Sequence, residues 1–90
     1  LLAKALKLER AQKMKELVEY IARSLVDKPE DVDVREYTSG NHVDIELSVA
    51  KDDMGRVIGK RGRVANAMRA LLRVAAEREG KRASLDVSDP

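Results

Sequence analysis

The chain has no cysteine, no tryptophan and no phenylalanine among its 90 residues, and only one histidine. Each absence closes off a class of function. Without cysteine there is neither a disulfide nor a thiolate metal ligand, a composition at home in a reducing cytoplasm. The single histidine, His42, stands beside a turn signal and cannot build an ordinary zinc site or a Cys–His pair alone. Tyr20 and Tyr37 are the only aromatics, too few for readers that stack bases on aromatic platforms. No apolar run is long enough to cross a membrane or to form the core of a signal peptide. No cofactor, no metal and no membrane partner are expected, and no enzyme activity.

What is present is charge, unevenly placed. The net charge is +2. Between Lys28 and Asp53 there are eight acids (Glu30, Asp31, Asp33, Glu36, Asp44, Glu46, Asp52, Asp53) against three bases (Lys28, Arg35, Lys51). From Met54 to Ala76 there are six bases (Arg56, Lys60, Arg61, Arg63, Arg69, Arg73) and no acid. A basic segment of this kind is a footprint for an anionic partner, nucleic acid first among them. A solvated helix face balanced by the acidic segment accounts for the same count.

The length gives room for one domain with a modest core. Met14 to Val26 reads as an amphipathic helix with Leu17, Val18, Ile21, Ala22 and Leu25 on one face, stopped by Pro29. Residues 1–13 contain good helix formers and no breaker. They read as an N-terminal extension, vector-derived or a prolongation of that helix, and residues 14–90 as the domain. Val32–Tyr37 and His42–Ala50 read as strands joined through Ser39, Gly40 and Asn41. Asp52 or Asp53 is placed to cap a short helix over Met54–Ile58. A second helix follows, with Val64, Met68, Leu71, Leu72 and Ala75 as its apolar stripe and Gly80 as its stop. Ala83, Leu85 and Val87 alternate with Ser84, Asp86 and Ser88 as a last strand. The order is helix, strand, strand, helix, helix, strand: an α+β fold with a three-stranded sheet and helices packed on one face.

The stretch Val57-Ile58-Gly59-Lys60-Arg61-Gly62-Arg63 carries the functional signal. Two glycines three apart let the backbone turn sharply and let another chain approach closely. The loop opens into a helix, whose first amides lack internal partners and whose dipole is positive there. Lys60 and Arg61 add two cations at the tip, an arrangement suited to a phosphate held against backbone. At least one of Val57 and Ile58 must face the core, and the other can help floor a groove for an unstacked base. Glycines used only for a corner between two helices remain the plain reading. The loop is not a P-loop, because no Gly-Lys-Ser/Thr supplies a hydroxyl for magnesium.

At these residues the sequence resembles a KH domain, whose signature is V-I-G-x-x-G followed by a helix; the matching run is VIGKRGRVANAMRALLRVA. With a helix and hairpin before the loop, the order resembles the type II arrangement. From Met14 to Asp89 the chain is similar to the small bacterial single-KH proteins of the KhpA type. The resemblance implies a cytoplasmic protein that binds single-stranded RNA as a chaperone or post-transcriptional regulator, with a link to cell elongation and division. It also implies a homodimer and a second, larger KH-domain partner. It places Gly59, Lys60, Arg61 and Gly62 on a phosphate clamp and Val57 and Ile58 on the hydrophobic pair before it. Arg63 and Asn66 fall on the exposed first turns of the next helix. Two other readings stay open: a helix–turn–helix for duplex DNA with Arg63, Arg69 and Arg73 on its recognition helix, and a protein-interaction module that needs no RNA.

Overall fold

The alternation of Val43, Ile45 and Leu47 with Asp44, Glu46 and Ser48 builds the central strand of a three-stranded sheet. A computed structural model describes residues 2–90, with side chains described from Met14 onward. The strands are β1 (Asp33–Ser39), β2 (His42–Ser48) and β3 (Arg82–Ser88), in the order β1-β2-β3. β1 runs antiparallel to β2 and β3 parallel to it. The antiparallel pair needs only the two-residue turn Gly40-Asn41, whereas a parallel pair needs a crossover. That crossover is α2 (Met54–Ile58) followed by α3 (Arg63–Arg78). The remaining helix, α1, spans Leu2–Leu25. The result is the expected α+β arrangement, with three helices and a mixed three-stranded sheet.

Register fixes what each sheet face carries. Ile45 pairs with Glu36 on one side and Leu85 on the other, and Leu47 pairs with Val34 and Val87. Because side chains alternate along a strand, these positions share one face. Val34, Val43, Ile45, Leu47 and Leu85 are all buried there. The helices cover this face: α1 packs on β1, and α3 on β3. They contribute Met14, Val18 and Ala22 from α1, Val57 from α2, and Ala65, Met68, Leu72 and Ala76 from α3. Glu36 is the charged residue on the same face. Its half-buried carboxyl is pushed above its usual range by loss of water, a shift opposed by the nearby charges of Lys15 and Lys81.

Several boundaries differ from expectation. α1 ends at Leu25, four residues before Pro29, and Pro29 instead opens a 3₁₀ turn over Pro29–Asp31. β1 reaches Ser39 and β2 stops at Ser48, although Val49 and Ala50 remain buried beyond it. Leu71 is not core: it is half exposed, and Ala65, Met68, Leu72 and Ala76 form the buried stripe. Leu25 is likewise partly exposed.

The largest departure concerns Asp53. It occupies the residue before α2, yet its side chain makes no capping bond to that helix. The carboxylate is buried and accepts the backbone amides of Asp27 (3.0 Å) and Lys28 (3.1 Å) instead. Arg56 bridges to the Asp27 carboxylate at 3.0 Å and to Asp53 at 3.5 Å. The aspartate thus caps the chain leaving α1 and ties it to the stem of the glycine loop.

Candidate functional site

The glycine loop hangs from a buried anchor. Val57 is wholly buried under α2, while Ile58, the next residue, is half-buried at the margin of the core. The two residues therefore divide: Val57 is packed into the core, and Ile58 keeps part of its apolar surface open beside the loop.

Gly59 has φ 76° and ψ 170°, a region open essentially to glycine alone. Its second constraint is contact. A β-carbon there would lie 2.5 Å from Val64 Cγ2 and 2.8 Å from the Val64 amide nitrogen. Gly59 is thus pressed against the first turn of α3. Gly62 is left-handed, with φ 76° and ψ 14°, and stands before α3 with only Asn66 Nδ2 near its missing side chain, at 3.7 Å. The two glycines of the motif do different jobs. The first permits close packing of loop on helix, and the second permits a left-handed turn into that helix.

Between them the chain makes one 3₁₀ turn, in which Gly62 N–H donates to Gly59 O at 3.1 Å and Arg63 N–H donates to Lys60 O. Among the described residues, Arg61 is the one non-glycine residue with positive φ, at 58° and ψ 26°. A left-handed conformation costs an L-residue roughly 1–2 kcal/mol. Glycine or asparagine would hold this turn with less strain. Lys60, Arg61 and Arg63 are all exposed. No side chain caps α3, so its positive end adds to these three cations.

The structure brings Val57, Ile58, Gly59, Lys60, Arg61, Gly62 and Arg63 together in one loop and its stem. Asn66 is exposed on the first turns of α3, and its Oδ1 accepts from Arg69 Nη1 at 3.1 Å. Arg69 belongs elsewhere. Its Nε and Nη2 donate to the backbone carbonyl of Leu85 at 3.2 and 3.1 Å, fastening α3 to β3. This engagement removes one of three arginines from the helix–turn–helix reading. The hairpin that such a reading left idle is two thirds of the sheet.

His42 also has an assignment. Its Nε2 is 2.9 Å from Asp44 Oδ1 on the open face of the sheet, and Ser84 Oγ donates to the same oxygen. Ser84 and then His42 hold the Asp44 carboxyl below its usual range. Serine hydrolysis needs a histidine nitrogen free to take the hydroxyl proton, with the carboxylate on the other nitrogen. Here carboxylate and hydroxyl converge on Nε2, so the three polar groups pair across β2 and β3 without forming that relay. Among the described residues, no group of three metal-ligating side chains converges, and no helix is long and apolar enough to cross a membrane.

Two more cations join the basic segment in space. Lys81 and Arg82 lie just beyond the basic segment in sequence, yet they approach Arg73 in space around a small cavity. Their neighbourhood follows from β3 folding back along α3, which no local pattern reveals.

Comparison with known proteins gives a consistent result. The family model described as KhpA/KhpB, KH domain, matches residues 15–87. A protein of Halalkalibacterium halodurans named RNA-binding protein KhpA is 53% identical over 84% of this chain and all of its own length. Its namesake in Clostridium perfringens is 51% identical over 82% of this chain and 99% of its own length. In Chlamydia trachomatis the identity is 45% over 84% of this chain and 97% of the relative. No solved structure matches.

Proposed function

The chain belongs to the KhpA/KhpB family of KH domains, and on that footing we propose that it binds single-stranded RNA through the Gly59–Gly62 loop. The observation that carries the reading is the pairing of strain with charge: an exposed arginine is held left-handed between two glycines, beside an uncapped helix end. Lys60 and Arg61 draw the phosphates in, and the glycines let the RNA backbone come close to peptide. Val57 fixes the stem. Ile58 offers aliphatic surface to a base, with Arg63 and Asn66 flanking the strand. A KH loop of this kind clamps about four nucleotides. Contacts to phosphate position a strand without reading its sequence, so base preference is broad. The curated relatives carry the name RNA-binding protein.

In the cell this reading makes the protein a cytoplasmic, non-enzymatic RNA chaperone or post-transcriptional regulator, connected to cell elongation and division. It acts as a homodimer and with a second, larger KH-domain protein. Leu71 and Val74, about half exposed and three residues apart on α3, offer the apolar seam for a second copy. Two linked sites would raise the avidity of a weak single site for RNA that spans both loops.

The test is the double substitution Lys60→Asp with Arg61→Asp, followed by fluorescence anisotropy on single-stranded RNA and by circular dichroism. The expected result is a loss of affinity of at least about tenfold with an unchanged fold, because counterion release by phosphate contacts dominates such binding. Unchanged affinity would sink the clamp and favour a protein-interaction module. Preference for a duplex over a single strand of equal length would favour the helix–turn–helix.

A further inference from the structure

A cavity of about 280 Å³ lies between the C-terminal half of α3 and the start of β3, lined by Arg73, Glu77, Lys81, Arg82 and Ala83. Three of these residues are cations and one is an anion. Among the described residues, none of the three cations makes a salt bridge, although the Lys81 charge also acts on the Glu36 carboxyl. The local structure sets their positions. α3 ends with Gly80 N–H donating to Glu77 O at 3.1 Å and Lys81 N–H to Ala76 O at 2.8 Å, which folds Lys81 back under the helix. Arg82 N–H then donates to Asn41 O at 2.8 Å, starting β3 beside the hairpin turn.

We propose that this cavity is a second RNA-phosphate site, taken by the strand after it leaves the glycine loop. The inference rests on the RNA-binding reading above.

Asn66, Arg69, Arg73 and Glu77 recur at i, i+3, i+7 and i+11, which is one flank of a helix. The bonds from Arg69 to Leu85 O show that this flank overlooks β3. The loop stands at one end of the flank and the cavity at the other. Ten residues separate Arg63 from Arg73, about 15 Å of helical rise. A strand long enough to continue past the loop along α3 meets Arg73 next, then Lys81 and Arg82. Guanidinium groups suit phosphate because their fork of donors can engage two oxygens at once. Glu77 keeps the cavity from being a tight anion trap: its carboxylate repels phosphate, so the site guides a strand without immobilising it. Phosphate contacts of this kind add length-dependent affinity and no base choice.

The experiment compares labelled oligouridylates of four and twelve nucleotides by fluorescence anisotropy across a salt series. The variants are Arg73→Gln with Arg82→Gln, Glu77→Gln alone, and the loop double substitution. The cavity variant is expected to weaken the dodecamer about five- to tenfold at low salt and leave the tetramer unchanged. Its salt slope on the dodecamer should fall by about 1.4, since each single-strand phosphate contact contributes roughly 0.7. Glu77→Gln should tighten the dodecamer, a gain that misfolding cannot produce. An unchanged dodecamer slope, or equal loss on both lengths, would overturn the proposal. If the loop variant keeps its affinity for both lengths, it is the loop reading that fails, and the dodecamer slope of the cavity variant still decides the cavity.

Discussion

Gly59 lies so close to Val64 that a single added methyl would stand 2.5 Å from Val64 Cγ2. Gly62, three residues on, meets nothing nearer than 3.7 Å. The two glycines should therefore respond differently to alanine. Gly59→Ala forces both an overlap and a backbone region that costs about 1–3 kcal/mol by itself. Gly62→Ala pays only for a left-handed residue, about 1–2 kcal/mol. Urea denaturation should show the larger loss for Gly59→Ala, and equal losses would contradict the packing described for the loop.

Arg61 is expected to show a trade between stability and binding. Arg61→Gly relieves the left-handed strain and should stabilise the domain by up to about 1 kcal/mol. The same change removes a tip cation and should weaken single-stranded RNA at low salt by several-fold. Thermal melts and anisotropy on one preparation test both halves. A variant that is less stable would show that the arginine side chain itself supports the turn.

Asp53 should give the domain part of its acid sensitivity. The Asp27 amide, joined by the Lys28 amide and the Arg56 charge, holds the carboxyl below its ordinary value of 3.8 despite burial. A carboxyl with a depressed folded pKa stabilises fully above its unfolded pKa and loses that contribution as pH falls through the folded value. Wild type should therefore lose stability below about pH 4, and Asp53→Asn should be less stable at neutral pH and flatter in that window. Asp52→Asn, at an exposed neighbour, is the control and should behave as wild type. Parallel pH curves for wild type and Asp53→Asn would contradict the bonds assigned to the carboxylate.

Leu71→Asp with Val74→Asp tests the seam for a second copy. Both side chains are about half exposed, so the folded monomer should keep its melting temperature. Sedimentation equilibrium should show self-association weakened by at least about tenfold, because charge replaces apolar surface at a buried contact. Undiminished association would move the seam elsewhere.

Much of this architecture could be read from local pattern. Val43, Ile45 and Leu47 alternate with polar neighbours, and period-two alternation specifies a half-buried strand without long-range information. The glycine loop was equally plain, since glycine spacing and charge are written in consecutive residues. The failures have a common cause. Leu71 and Leu72 are adjacent in a helix with apolar residues on more than one side, and only docking on the sheet decides which is buried. Asp53 bonds to amides 25 and 26 residues earlier. Arg73, Lys81 and Arg82 meet only because β3 returns along α3. Arg61's left-handed backbone has no signal in residue type, because arginine is not a residue that prefers it.

The grip of Arg69 on Leu85 has a consequence beyond holding helix to sheet. β3 is an outer strand, and the open carbonyls of an outer strand are a template on which a foreign strand can add. At mid-strand the Leu85 carbonyl is already occupied, by a charged group that belongs to the protein's own helix. An intruding chain would have to displace a guanidinium to gain its hydrogen bond there. An arginine drawn from the basic helix thus occupies the outer edge of β3 at its middle, where an added strand would need that carbonyl.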